Sequence, residues 1–363
     1  VIQLAEITGV YGVSALIVWI NGTINFLINV ILSRDDPGPA YNKNLGIRFG
    51  IVSIFLLVLF LGYGIFSISK YKPSNLPPLK ISLIQGNIEQ TIKWDQQYRE
   101  HVANTYERLT LKGAKLKPDL IVWPEAATPF YFNINPKESL KLKKLVEQTG
   151  IPLVFGSPFY KQEDATITMF NSAYLLKPGE TEKSRYDKIH LVPFGEFIPM
   201  QRVLFFVEKM VEGIGNFGRG EQGTLFYLGK SPFAVSICYE IIFPDLVRRS
   251  VKSGARFLVN ITNDAWFGKS AASFQHFSMA ILRAVENRVP IVRAANTGIS
   301  GAVDVTGQFH DTTEIFEEAV VETYIVPGSG KPTIYSIYGD WFCWFAFLVS
   351  ILLVTGRISS EQK

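Results

Sequence analysis

The sequence predicts an α/β domain inserted between transmembrane helices. Uncharged, mostly apolar runs occupy residues 7–33 and 49–68, and a shorter one occupies residues 341–356. Between them, residues 79–332 alternate short β-rich runs with amphipathic stretches, which is typical of sheets covered by helices. The mean hydropathy of +0.17 is high for a chain that meets only water. Part of the chain is therefore expected to meet lipid.

The first apolar run, residues 7–33, exceeds the roughly 20 residues that cross a bilayer core. Asn21, Asn25 and Asn29 recur within it at every fourth position and so share one helix face. Amides that face lipid lack hydrogen-bond partners, so we expect neighbouring helices. A cleaved signal peptide is the alternative, but a basic n-region is missing. Because the chain opens with valine, we expect that earlier membrane helices precede it.

The second run, residues 49–68, starts just after Arg48 and is the clearest predicted span. The third, residues 341–356, follows several aromatic residues and is closed by Arg357, as in an interfacial belt. The chain is accordingly divided into three parts: residues 1–78, a membrane region with two transmembrane helices; residues 79–332, the large domain; and residues 333–363, a C-terminal transmembrane helix with a short tail.

Basic residues near the spans predict the topology. Those between the first two spans and after the last are expected in the cytoplasm, which places the large domain on the outer face. These residues are Arg34, Lys43, Arg48, Arg357 and Lys363. Three lysines on the outer side oppose this assignment, although large translocated domains largely escape the rule. They are Lys70, Lys72 and Lys80.

Hydrophobic periodicity places the elements of the large domain. Strands are expected at residues 80–85, 120–123, 152–155, 233–238, 257–261 and 291–294, and helices at residues 96–116, 137–148 and 272–286. Residues 200–215 carry a broad apolar face at helical spacing, which favours an arm that dips into the membrane; packing in the domain core is the alternative.

Composition excludes several function classes. The net charge of +4 suits a protein beside anionic lipid, but basic residues are not interleaved with aromatics as nucleic-acid binding requires. The four histidines show no metal-ligand spacing, so neither a metal nor another cofactor is expected. Of the two cysteines, Cys343 lies in an apolar run and Cys238 ends a predicted strand, so a disulfide between them is not expected.

Three strand ends carry groups suited to chemistry, because catalytic residues in α/β folds lie past the carboxyl ends of strands. Glu125 follows one apolar run, Cys238 follows another just before a helix start at Pro244, and Lys188 lies in a third strand-like segment. Each has a simpler interpretation alone: an exposed loop glutamate, a buried inert cysteine and a surface lysine on an edge strand.

Together with their flanks, these residues resemble the nitrilase superfamily of carbon–nitrogen hydrolases, and within it the membrane branch of apolipoprotein N-acyltransferases. The matching motifs are Gln85-Gly86-Asn87-Ile88, Lys93-Trp94-Asp95, Trp123-Pro124-Glu125, Tyr186-Asp187-Lys188, Leu191-Val192-Pro193-Phe194-Gly195-Glu196, Cys238-Tyr239-Glu240 and Asn263-Asp264-Ala265-Trp266-Phe267-Gly268. One departure is that the family carries more membrane helices before the domain.

The resemblance implies an αββα sandwich in which Glu125 is the general base, Cys238 the nucleophile and Lys188 the oxyanion stabiliser. It also implies supporting roles for Trp94, Glu196, Tyr239, Glu240 and Trp266; for Trp94, packing near a loop is the alternative. The implied reaction moves a fatty acyl group from a phospholipid, through a Cys238 thioester, to the N-terminal amine of a diacylglyceryl-cysteine apolipoprotein in the bacterial inner membrane.

Two other functions remain open at this point. A membrane-tethered amidase would use the same three residues and give the acyl group to water. A catalytically idle scaffold would bind lipoproteins without reacting, which the intact Glu125, Lys188 and Cys238 disfavour.

Overall fold

The computed structural model describes residues 1–32, 43–90, 95–163, 166–180, 184–199 and 217–361. The chain divides into two compact units. The helical unit comprises Val1–Lys72, Val285–Arg288 and Pro332–Lys363, and the sandwich unit comprises Pro73–Ala284 and Val289–Lys331.

Helices and strands within the described residues have the following bounds. The helices are α1 (Ala5–Thr8), α2 (Val10–Leu32), α3 (Lys43–Lys70), α4 (Arg99–Ala114), α5 (Pro136–Thr149), α6 (Pro244–Lys252), α7 (Ala272–Asn287), α8 (Ile334–Tyr338) and α9 (Trp341–Glu361). The strands are β1 (Leu79–Gln85), β2 (Leu120–Val122), β3 (Leu153–Glu163), β4 (Thr166–Leu176), β5 (Ser184–Asp187), β6 (Leu225–Leu228), β7 (Ser231–Ile237), β8 (Phe257–Thr262), β9 (Ile291–Ala295), β10 (Gly301–Val303), β11 (Phe309–His310) and β12 (Ala319–Ile325).

The helical unit contains two described helices, α2 and α3, that are long and apolar enough to cross a membrane. They contact each other through polar side chains: Trp19 Nε1 donates to Ser53 Oγ at 3.0 Å, and Thr23 Oγ1 lies 2.9 Å from the same oxygen. In α9 the apolar stretch is shorter, Trp341–Thr355. Helices α2 and α3 lie at the positions expected for the first two spans, and that α2, α3 and α9 cross a membrane remains a prediction.

The sandwich unit contains two six-stranded sheets. One has the order β12-β1-β2-β3-β4-β5 and the other β11-β10-β9-β8-β7-β6. In both sheets, neighbouring parallel strands occupy the middle: Ile81 of β1 pairs with Leu120 of β2, and Ser236 of β7 pairs with Asn260 of β8. Parallel strands expose their carboxyl ends at one edge, which is where loops can carry a site.

The alternation of side chains between the two faces of each strand explains how the sheets and helices are layered. In β1, Leu79, Ile81 and Leu83 join a core that also contains Val235 and Val259 of the other sheet, so this core lies between the sheets. Two further apolar cores lie outside it: one joins the first sheet to α4 and α5, and the other joins the second sheet to α6 and α7. The expected αββα sandwich is therefore confirmed.

The predicted elements are largely found, with three differences. The strand-like segment expected around Lys188 ends at Asp187, so Lys188 follows β5. The strand expected at residues 152–155 runs on to Glu163 and pairs with β4 as an antiparallel hairpin. Hydrophobic periodicity does not mark its second half, because that half is exposed. The strand expected at residues 233–238 ends at Ile237, so Cys238 starts a 3₁₀ turn instead. The amphipathic helix expected at residues 200–215 lies outside the described residues.

Candidate active site

Three strand ends of the sandwich unit carry the predicted chemical groups. Glu125 lies just past β2, Lys188 directly after β5 and Cys238 directly after β7. Glu125 is 6% exposed and Lys188 is 1% exposed, so the interpretations as a loop glutamate and a surface lysine are wrong. Buried charges need partners, and the structure supplies them.

The Glu125 loop packs tightly against β3. A Cβ atom at Gly156 would lie 2.7 Å from both Glu125 Cα and Pro124 O, closer than side-chain carbons approach backbone atoms. The backbone also binds there, since Gly156 N donates to Pro124 O at 3.1 Å. A glycine in β3 therefore permits the approach that fixes the Glu125 backbone.

Two carboxylates share one ammonium group in the site. Lys188 Nζ lies 2.8 Å from Glu196 Oε1 and 3.4 Å from Glu125 Oε1. Asn171 Nδ2 donates to the same two oxygens, at 2.8 Å to Glu125 and 2.9 Å to Glu196. The second Glu125 oxygen accepts from the backbone N–H of Asn263 at 2.9 Å. These bonds fix the direction of the Glu125 carboxylate.

Electrostatics keep Lys188 charged. Burial alone would lower the pKa of Lys188, but the charges of Glu125 and Glu196 and the hydrogen bond that Lys188 donates to Glu196 outweigh burial and raise the pKa above its ordinary value. Both neighbouring carboxylates thus face a permanent cation. A charged donor held this way is suited to stabilising a negative charge that develops beside it.

Cys238 has an unusual backbone. Its φ angle is +54°, a left-handed value that costs a non-glycine residue about 1–3 kcal/mol. It opens the 3₁₀ turn Cys238–Ile242, directly after β7. Desolvation of the thiol and the charge of Glu125 raise the pKa of Cys238 to about 12, although the charge of Lys188 lowers it. The thiol therefore holds its proton at neutral pH and needs a base.

Glu240 joins the segment after β5 to the Cys238 turn. Its carboxylate accepts from Tyr186 Oη at 2.8 Å, Ile189 N at 2.7 Å and His190 N at 3.0 Å, and also from Ile237 N at 2.8 Å. Burial raises the pKa of Glu240 above its ordinary value, although these donors favour the charged form. Such contacts fit a positioning residue.

The other predicted supporting residues differ in their placement. Glu196 lies in the site, and its Oε2 accepts from Val192 N at 2.9 Å. Tyr239 is 38% exposed, with its ring centroid 6.0 Å from those of Phe243 and His276. Trp266 is on the surface at 71% exposure, and Trp94 lies outside the described residues.

An aromatic run, Phe130-Tyr131-Phe132, follows Glu125, and its two phenylalanines are buried. Phe130 is 7% and Phe132 1% exposed, and both pack in the core between the first sheet and its helices.

Several buried polar residues in or beside the site lie outside the motifs. Asn171 lies inside β4, and Asn260 and Arg293 are fully buried inside β8 and β9. A polar residue within an otherwise apolar strand was the available signal, since burial of such groups requires partners. Within the part of the chain that the structure describes, no group of three His, Cys, Asp or Glu side chains is arranged to hold a metal ion.

The chain is similar to known proteins in both sequence and fold. A model of the carbon–nitrogen hydrolase family matches residues 80–334. An apolipoprotein N-acyltransferase of Geobacter metallireducens is 44% identical over 94% of this chain and 64% of its own length. One from Haemophilus ducreyi is 32% identical over 99% of this chain and 69% of its own length.

The solved structure of an amidase from Nesterenkonia matches 75% of this chain and 98% of its own length, with a TM-score of 0.54 and 18% identity. A mutant of a Nesterenkonia amidase from the nitrilase superfamily matches with a TM-score of 0.53, also at 18% identity. At this identity the similarity concerns the fold. The chain spans 64% to 67% of the length of the curated relatives from Geobacter and Rickettsia prowazekii.

Proposed function

We propose that this chain, which belongs to the carbon–nitrogen hydrolase family and within it to the apolipoprotein N-acyltransferases, transfers a fatty acyl group from a phospholipid to an apolipoprotein. The acceptor is the N-terminal amine of a diacylglyceryl-cysteine. The observation that carries the proposal is the buried ion pair between Lys188 and Glu125, at 3.4 Å. Both charges also shift the pKa of the Cys238 thiol, Glu125 upward and Lys188 downward.

The first half-reaction forms a thioester. Glu125 takes the proton of the Cys238 thiol while the sulfur attacks an ester carbonyl of the phospholipid. The negative charge that develops on the carbonyl oxygen faces Lys188 and backbone donors near Tyr239, each worth roughly 3 kcal/mol in a dry site. The acyl carbon–oxygen bond then breaks, and Glu125 returns the proton to the departing lysophospholipid.

The second half-reaction transfers the acyl group to nitrogen. The free amine of the apolipoprotein attacks the thioester carbon, and Glu125 accepts the proton that the nitrogen loses. The carbon–sulfur bond breaks and the Cys238 thiolate recovers a proton. Glu196, Glu240, Tyr239, Trp266 and Trp94 support the site in this proposal, with Glu196 fixing the Lys188 ammonium.

A transfer assay tests this function. The protein is incubated with vesicles of acyl-labelled phospholipid, with and without a diacylglyceryl-cysteine peptide. Label is expected on the peptide amine, in equal amounts with the lysophospholipid released. If labelled fatty acid were released at the same rate with and without the peptide, water would be the acceptor, which would support an amidase. No release of label would favour a lipoprotein-binding scaffold.

A substitution of Asn171 tests whether its hydrogen bonds to Glu125 and Glu196 support acyl transfer. Asn171→Asp replaces a donor that serves both Glu125 and Glu196 by a third negative charge. Hydrogen bonds to charged groups are worth about 1.5–3 kcal/mol, so acyl transfer should fall about tenfold to a hundredfold. Asn104→Asp, at an exposed position of α4, is the matched control and should keep the full rate. An unchanged rate in Asn171→Asp would contradict the role of Asn171 as the donor that holds both carboxylates.

The same proposal includes the division of the chain and its topology. Residues 1–78 and 333–363 would anchor a multi-pass protein in the bacterial inner membrane, with residues 79–332 on the periplasmic side. Support comes from the two long apolar helices and from the basic residues between them.

Cysteine labelling tests the topology. In a chain with Cys238→Ala and Cys343→Ala, Lys161→Cys in the sandwich unit should react with a membrane-impermeant maleimide in intact spheroplasts. Lys43→Cys, at the start of α3, should react only after lysis. The opposite pattern would reverse the proposed orientation.

A further inference from the structure

A buried polar cluster lies beneath the Cys238 turn and takes no part in the mechanism above. It consists of Asn260 on β8, Asp264 just after β8, His276 on α7 and Arg293 on β9. None of the four is more than 4% exposed. All belong to the sandwich unit, and three separate elements converge on them. Buried polar groups of this number require a structural or functional reason.

Two side chains of the cluster contact the same backbone atom of Cys238. The carbonyl oxygen of Cys238 lies 3.2 Å from His276 Nε2 and 3.3 Å from Asn260 Nδ2. A peptide bond is planar and trans, so this carbonyl and the N–H of Tyr239 point in opposite directions. Anchoring the carbonyl therefore fixes the direction of the Tyr239 N–H. That N–H has no partner inside the 3₁₀ turn, because it belongs to the first turn.

His276 is itself held in one orientation. Its Nδ1 lies 3.0 Å from both Asp264 Oδ1 and Arg293 Nη2. Arg293 also binds Asp264 Oδ2 at 2.7 Å and Asn260 Oδ1 at 2.6 Å. Because a carbonyl only accepts, Nε2 must carry a hydrogen. Burial and the charge of Arg293 lower the pKa of His276, against the contact with Asp264, which raises it. The hydrogen on Nε2 follows from the Cys238 carbonyl alone.

We propose that His276 is a positioning residue for acyl transfer: its Nε2–H, held by Asp264 and Arg293, fixes the peptide after Cys238 so that the Tyr239 N–H faces the developing oxyanion. The inference rests on the proposed function for the donor and acceptor, but it concerns any reaction at Cys238 that passes through a tetrahedral intermediate. The contacts to the Cys238 carbonyl also hold the left-handed φ of Cys238, since a strained residue persists only when its surroundings hold it.

Two reactions of the same thiol separate positioning from simple structural damage. Alkylation by iodoacetamide develops no oxyanion, whereas acylation by a 4-nitrophenyl fatty ester does. His276→Ala in the purified full chain should lower kcat for ester acylation about tenfold to a hundredfold with KM nearly unchanged. The alkylation rate should change by less than about threefold. His276→Gln, whose amide can donate to the carbonyl, should recover most of the lost rate.

Controls distinguish the possible failures. His101→Ala, at an exposed position of α4, should change neither rate. Gly298→Ala, where a Cβ would lie 2.8 Å from Asp264 Cβ, should give the same split by displacing Asp264, and it carries the test if His276→Ala does not fold. Equal loss of both rates, or loss of neither, would overturn the proposal. Wild-type protein that reacts with the nitrophenyl ester but never with phospholipid would instead refute the proposed function and leave this test intact.

Discussion

Replacing Cys238 by alanine is expected to abolish acyl transfer, with a loss of at least about 10⁴-fold, because removal of a covalent nucleophile leaves only binding and oxyanion contributions. The label transferred from phospholipid to peptide measures the effect. No lysophospholipid should be released either, since both half-reactions pass through the same sulfur.

The second cysteine provides the matched control. Cys343 lies exposed in α9 and makes no contact that the proposed chemistry needs. Cys343→Ala should therefore transfer acyl groups at the wild-type rate. Residual transfer in Cys238→Ala above the level of a heat-inactivated sample would mean that another residue carries the acyl group.

The change Glu125→Gln is expected to lower acyl transfer by about 10²- to 10⁴-fold, the range typical of a lost general base. Burial and the charge of Glu125 raise the pKa of Cys238 to about 12 in the intact site, so the thiol holds its proton at pH 7. A glutamine keeps the shape and one acceptor oxygen but takes no proton. The reaction in this variant should then depend on the few thiols that ionise without help.

The pH dependence of alkylation tests this explanation. Loss of the Glu125 charge lowers the pKa of Cys238 in this variant. Below that pKa the thiolate fraction rises tenfold per pH unit, so iodoacetamide should alkylate Glu125→Gln faster as the pH rises and approach the wild-type rate at high pH. Glu107→Gln, at an exposed position of α4, should follow the wild-type profile. If Glu125→Gln were as reactive as wild type at pH 7, another group would be the base.

Much of the fold could be predicted from local pattern. The alternation of Leu79, Ile81 and Leu83 with polar residues marks β1, and the long uncharged runs mark α2 and α3. The β3–β4 hairpin could not be predicted in full, because its outer half is exposed and carries no burial pattern. Hydrophobic periodicity extends the strand before it to Cys238, because the left-handed backbone of this residue leaves no trace in the pattern.

The site was predictable only where motifs marked it. Glu125, Lys188 and Glu196 were expected together, and the structure brings them within hydrogen-bond distance. His276 and Arg293 were not expected, since each lies in a segment that otherwise looks like ordinary core and their partners come from distant parts of the chain. Such contacts depend on which strands become neighbours, and a single sequence does not record that.

The Cys238 thioester is the central claim, and its mass is the direct measurement. Incubated with phospholipid vesicles alone and examined by intact-protein mass spectrometry, the chain should gain the mass of one fatty acyl group. Hydroxylamine should remove the adduct, and a diacylglyceryl-cysteine peptide should discharge it to N-acylated peptide. Cys238→Ala should gain no mass. An adduct that persists in Cys238→Ala, or one that the peptide leaves in place, would contradict the account.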